Sequence, residues 1–373
     1  MCIRDRTATA SYEVAATLDP EDTSVQTELA EIYLAGGDET RQEAIGAMHA
    51  LLAADPDRVE FYRGLSDLYR AEKNEDACFC LAQALVLLGH ASPEEKQLVS
   101  KARPDGLVAA SRKMTPDAWQ LVLPHKHERT GARDLFGAAF PVLPEAYGAP
   151  LAAFDLNNSD EVAVSEDSSA LARVLQYAIE IANVSKQPRL FSSQSATTLR
   201  LANLFEANTL SPALVAPLGM LRAMDDEKAL AFQVGARLAY LLPERWAFVA
   251  FPTPSELETV AKEVVSIVSG KKQASWTSRL SPAAQNAMVD ALASIDLGEL
   301  DTALTDWRDA ADLTAARFGL ALSNDLAVAA EQVAMADSLS SLTTVERVRE
   351  LVAFAVSKDY LALRRHLGLA IGA

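Results

Sequence analysis

Leu29-Ala30-Glu31-Ile32-Tyr33 returns 36 residues later as Leu65-Ser66-Asp67-Leu68-Tyr69, and this recurrence decides the fold. Leucine and tyrosine four residues apart share one face of a helix. The same 36-residue offset carries Asp19-Pro20 to Asp55-Pro56, and Ala44 finds its counterpart in Ala77, 33 residues on. Gly36-Gly37 is a turn, and the following Asp38-Glu39-Thr40-Arg41 is a short insertion in the first unit. Each Asp-Pro closes a unit: proline cannot continue a helix, and aspartate is a good cap for the next one. The pattern predicts stacked helical hairpins over 7–90, with a leading half unit around Tyr12 to Leu18.

This segment resembles the tetratricopeptide repeat, a helix-turn-helix unit of about 34 residues. One helix pair cannot bury its own apolar face, so neighbours must stack, and about three units are normally needed for stability. About two are readable here, which predicts an array that continues upstream or is capped by the following domain. The resemblance implies a protein or peptide partner held in a groove. Glu28, Glu31, Asp67 and Arg70 are the groove candidates, because the pattern leaves them exposed on the first helices. Met1-Cys2-Ile3-Arg4-Asp5-Arg6 resembles a translated sequencing-adapter remnant, so 1–6 is set aside, with genuine N-terminal sequence expected to be missing.

With 34 basic and 51 acidic residues, the net charge of −17 disfavours phosphate backbones, so no nucleic-acid partner is expected. Cys2, Cys78 and Cys80 form no disulfide framework, which suits a reducing, cytoplasmic setting. Cys78 and Cys80, two apart on a helix, point to different faces and make a poor metal pair. The absence of an apolar run of about 18 residues predicts no membrane span.

Residues 91–165 read as an irregular helical connector, with helix starts at Ser92-Pro93-Glu94-Glu95 and Thr115-Pro116-Asp117 and a boundary at Asn157-Asn158-Ser159-Asp160. The remainder, 166–373, reads as one helix-rich domain. A helix is predicted from Ser168 to Ile181, strands at Pro188 to Phe191 and Thr197 to Phe205, and a helix from Ser211-Pro212 to Leu221. Further helices are predicted over 226–242, 255–269, 282–295, 301–322, 324–338, 344–355 and 357–366. Pro243 stops the first of these, and Ser255 with Glu258 caps the second. The fold class is therefore mainly α, with tetratricopeptide-like hairpins followed by a helical domain carrying a small β-hairpin.

Within that domain, Asp225-Asp226-Glu227-Lys228-Ala229-Leu230-Ala231-Phe232-Gln233-Val234-Gly235-Ala236 is similar to the approach to an HExxH helix in HtpX-like and CAAX-protease-like zinc metallopeptidases. In HExxH, two histidines four apart reach one zinc and the glutamate polarises its water. The resemblance puts the hairpin at 188–205, the preceding helix at 211–221 and the turn at Met220 to Glu227. It assigns Phe232 and Ala236 to the histidine positions and Gln233 to the glutamate position. It also aligns Asp312-Leu313-Thr314-Ala315-Ala316 with the family's later acidic stretch, Asp312 in the ligand position. It implies a degenerate zincin-like fold that has lost its chemistry. Phe232 and Ala236 cannot ligate zinc, and Gln233 cannot act as a base. A buried helix of any other origin would also carry such an apolar face.

The expected function is therefore a scaffold for protein–protein interaction containing a pseudoenzyme domain, with no catalytic residue, metal or cofactor. The alternative is a metal-dependent hydrolase with an unconventional ligand set, built on His125, His127 and an acidic residue; the other histidines are His49, His90 and His366. A purely structural helical array is a third reading. Trp119, Trp246, Trp276 and Trp307 are expected as core anchors, and Arg364-Arg365-His366 as compensation for a helix dipole.

Overall fold

The computed structural model describes residues 3–19, 22–124, 128, 130–222, 226–338 and 340–372. The fold is mainly α, with a few short strands in two small sheets. The chain divides into two compact units, one made of 1–105 with 345–373 and the other of 106–344.

The first unit begins with helices α1 (Ile3–Leu18), α2 (Thr23–Ala35), α3 (Arg41–Ala54), α4 (Val59–Ala71), α5 (Glu75–Leu87) and α6 (Pro93–Ala102), each packed on the next. Helix α1 already includes Ile3 to Arg6, residues set aside on sequence grounds. Caps fix the helix starts: Asp22 accepts from the Ser24 and Val25 amides, Asn74 from that of Ala77, and Ser92 with Glu95 completes a capping box. Asp55 differs from expectation. It terminates α3, and α4 starts at Val59 after the turn through Pro56, with Arg58 at its N-cap.

The repeat is visible atom by atom. The Tyr33 hydroxyl donates to Glu13 Oε1 at 2.7 Å, and the Tyr69 hydroxyl meets His49 Nε2 at 2.7 Å. Each partner lies 20 residues before its tyrosine, so Glu13 and His49 are themselves 36 apart.

The second unit runs through α7 (Pro116–Gln120), α8 (Thr130–Ala139), α9 (Leu143–Ala146), β1 (Glu161–Val162), α10 (Ala170–Ala182), β2 (Arg189–Ser193) and β3 (Arg200–Ala202). There follow β4 (Phe205–Glu206), β5 (Thr209–Leu210), β6 (Ala213–Pro217), α11 (Leu218–Arg222), α12 (Glu227–Ala239), α13 (Ala247–Ala250), α14 (Pro254–Val268), α15 (Pro282–Ala293), α16 (Leu300–Ser323) and α17 (Leu326–Met335). The larger sheet has the order β1-β2-β6-β3. β2 and β6 run parallel, and β1 and β3 are antiparallel to their neighbours.

Three expectations change here, two in the sheet and one at a helix cap. The strands near 190 and 200 do not form a hairpin with each other, because β6 lies between them; the small hairpin is β4–β5. Residues 213–217, expected as the start of a helix, form the central strand β6. Ala213 to Ala216 are fully buried, and a short apolar run in such a place has no helical period to read. Beyond 105 the chain packs with the second unit: Leu135 and Phe136 of α8 lie in the same core as Trp276 and Trp307, with Phe136 stacked on Trp307 at 5.1 Å. All four tryptophans are buried. The cap of α14 is also displaced, from Ser255 to Thr253 with Glu256. Pro254 takes the first helical position and sets the cap one residue before itself.

The chain ends with α18 (Thr344–Ala355) and α19 (Lys358–Leu367), and from Val345 onward it belongs with the first unit, not with the domain preceding it in sequence. Arg364 is fully buried. Its guanidinium reaches Asp76 of α5, with Nε 3.1 Å and Nη2 2.7 Å from Oδ1, and lies 5.7 Å from the Phe79 ring centre. The Ile371 amide donates to the same carboxylate at 3.0 Å. Arg364, in the last turn of α19 with Arg365 and His366, is thus also an internal ion-pair partner.

Candidate functional site

Two places collect the residues singled out by sequence, one in each unit. In the second unit α12 and α16 run antiparallel in close contact. Lys228 pairs with Asp325 at 2.9 Å near one end, and Tyr240 lies in the field of Asp312 near the other. The crossing is glycine on glycine. A Cβ on Gly235 would stand 3.3 Å from the Gly319 Cα, and one on Gly319 would stand 2.8 Å from the Phe232 carbonyl oxygen. Phe232 is buried with its ring against Gly319, and Ala236 is buried one turn further on. Gln233 Nε2 donates to Gln332 Oε1 of α17 at 2.7 Å.

Asp312 is half-buried and accepts from the Ser338 hydroxyl at 3.0 Å. It lies two helical turns from Gly319, so it falls at the level of Tyr240 and not opposite Phe232. Burial first, and the Asp312 charge second, hold the Tyr240 phenol above its ordinary range. The two helices meet, and the space between them at the level of Phe232 is filled by its ring against Gly319. Asp312 does not stand at that spot. His125 and His127, and the turn residues Ala223 to Asp225, lie outside the described residues. Among the described residues no three His, Cys, Asp or Glu side chains gather as a metal-binding group.

In the first unit an open groove of about 470 Å³ runs over α4, α5 and α6. Helix α4 presents Arg63, Ser66, Asp67 and Arg70 at the spacing of one helical face. Arg63 Nη2 donates to the His90 carbonyl at 2.7 Å, and Arg70 Nη1 to Asp67 Oδ1 at 2.9 Å. Cys78 and Leu98 form part of the floor, and Ser92, Glu94 and Glu95 complete the wall. Burial raises the Cys78 thiol above its ordinary value, so it stays protonated at neutral pH and is no activated nucleophile. Of the four groove candidates, Asp67 and Arg70 line this groove; Glu28 and Glu31 are exposed on α2 away from its lining. The periodicity marks the outward face of α4, whereas Arg63 and the α6 contribution carry no sequence signal of their own.

Among the described residues no helix is long and apolar enough to cross a membrane. The chain matches no known protein family, no characterised protein and no solved structure.

Proposed function

We propose that the protein is an interaction scaffold whose first unit, a tetratricopeptide-like array, holds a protein or peptide partner in the groove over α4 to α6. The observation carrying this reading is the groove itself, with three ionised side chains of α4 standing over a partly apolar floor. Arg63, Asp67 and Arg70 offer charge of both signs, which suits an extended peptide with alternating charge better than a uniformly charged polymer. The second unit is read as a peptidase-like platform without catalytic chemistry, working in the cytoplasm without metal or cofactor. Phe232 packed on Gly319 at the ligand position supports that part.

Peptide-library selection against the full chain tests the proposal. Selected peptides should lose about tenfold or more in affinity on Asp67→Arg or Arg70→Glu. Peptides that bind both variants as well as the parent would remove the groove from consideration.

A further inference from the structure

The groove over α4 to α6 has an uneven charge balance. Its two arginines are already answered by carboxylates of the same lining. Arg70 Nη1 donates to Asp67 Oδ1 at 2.9 Å, and its Nη2 faces the Ser66 hydroxyl at 3.4 Å. Arg63 Nη1 stands 3.8 Å from Glu95 Oε1, and its Nη2 donates to the His90 carbonyl. Glu95 is buried and is fixed a second time by the Ser92 amide, 2.7 Å away, in the α6 capping box. Glu94 is left over. It is exposed in the first turn of α6, and among the described residues no basic side chain pairs with it. Arg63 and Arg70 against Asp67, Glu94 and Glu95 leave the lining with one negative charge in excess.

Leu98 lies one turn beyond Glu94 on the same face of α6, and with Cys78 it makes the apolar part of the floor. The preceding repeat has a matching arrangement. Glu31 of α2 occupies the position that Asp67 takes 36 residues later, and Leu34 occupies that of Arg70. The carboxylate is kept, while the cation that answers it is replaced by a leucine that is 41% exposed. Glu31 is exposed and has no basic partner among the described residues. An unanswered carboxylate beside an aliphatic side chain thus occurs twice, on α2 and on α6.

We propose that the partner segment is basic and aliphatic. This rests on the reading of the groove as a peptide site and adds the partner's chemistry. A lysine or arginine of the segment meets Glu94 while a neighbouring aliphatic side chain covers Cys78 and Leu98. A second such pair suits Glu31 and Leu34. The net charge of −17 draws a basic segment in and repels an acidic one.

Fluorescence anisotropy of the full chain with three labelled peptides of equal length tests this. One alternates lysine with leucine, one glutamate with leucine, and one lysine with serine. The lysine–leucine peptide should saturate, and each of the others should bind about tenfold more weakly or worse. Glu94→Lys, at an exposed position, should weaken the lysine–leucine peptide about tenfold and strengthen the glutamate–leucine one. Asp290→Lys, also exposed but on α15 of the second unit, makes the same change in net charge and should leave both unaffected. Equal binding of the lysine–leucine and glutamate–leucine peptides, or losses in Asp290→Lys that match those in Glu94→Lys, would overturn the inference. Library-selected peptides that depend on Asp67 and Arg70 without any excess of lysine and arginine would overturn it too, yet leave the groove in place. Selected peptides indifferent to Asp67→Arg and Arg70→Glu would remove both.

Discussion

The first unit is assembled from neighbours, and the second is threaded through by one long helix. In the first, each helix from α1 to α6 packs on the next, and the tyrosine bonds of α2 and α4 repeat with the sequence. In the second, α16 meets α8, α12, α14 and α17, and side chains bridge distant parts of the chain. Asn203 there accepts from Trp246 Nε1 and donates to the Pro144 carbonyl, both at 2.9 Å. Periodic order makes contacts that short-range pattern specifies, while the threaded unit depends on a few sites where two backbones come within van der Waals reach. The first unit nevertheless has ties that are not local, the buried one between Asp76 and Arg364, 288 residues apart, and an exposed one between Asp57 and Arg349.

The buried tie sets the largest expected effect. Asp76→Ala leaves a fully buried guanidinium alone and should destabilise the first unit by about 3–5 kcal/mol. Urea unfolding followed by hydrogen exchange should assign the loss to α5 and α19; a loss confined to the second unit would contradict the comparison. Gly319→Ala tests the threaded unit, where the new methyl meets the Phe232 backbone, and should cost about 1–3 kcal/mol. Gly37→Ala, with nothing within 4 Å, meets no such contact and bears only the strain of its positive φ.

Acid should act on the repeated unit through His49. Burial, then the Lys358 charge, lowers its pKa from 6.5 to about 4. The unfolded chain therefore binds this proton more readily, so stability is complete above about pH 6.5 and falls as pH drops towards 4. The contribution is on the order of 3 kcal/mol, and His49→Gln should remove that part of the pH dependence of urea midpoints. Thr253→Ala, which removes the α14 cap, should cost about 1 kcal/mol in the second unit, measured by thermal unfolding. The smallest effect belongs to Arg70→Ala, whose exposed pair with Asp67 should change stability by less than about 0.5 kcal/mol. It is therefore a clean variant for binding assays.

Much of the helical order is legible in the sequence because its signals are local. The spacing of Leu29, Tyr33, Leu65 and Tyr69 marks the repeated helices, and apolar stripes place α12 and α14 to α19 to within a few residues. β6 is not legible, since Ala-Leu-Val-Ala fits a buried strand as well as a helix, and Ser211-Pro212 ahead of it looks like a helix start. The assignment of α18 and α19 to the first unit is equally hidden, because nothing beside Arg364 reveals that its carboxylate lies in α5. Of the candidate sites, the outward face of α4 follows from periodicity. The α6 side of the groove does not, because Ser92, Glu94 and Leu98 belong to a separate helix whose packing against α4 no local pattern announces.

The tie between Asp76 and Arg364 also sets a schedule for synthesis. A growing chain exposes α5 to solvent with its aspartate unanswered while the intervening residues are still being added. The second unit has all of its residues available before the first does. Helices translated early must wait for others translated much later, so an early-made part of this protein is among the last to reach its final form.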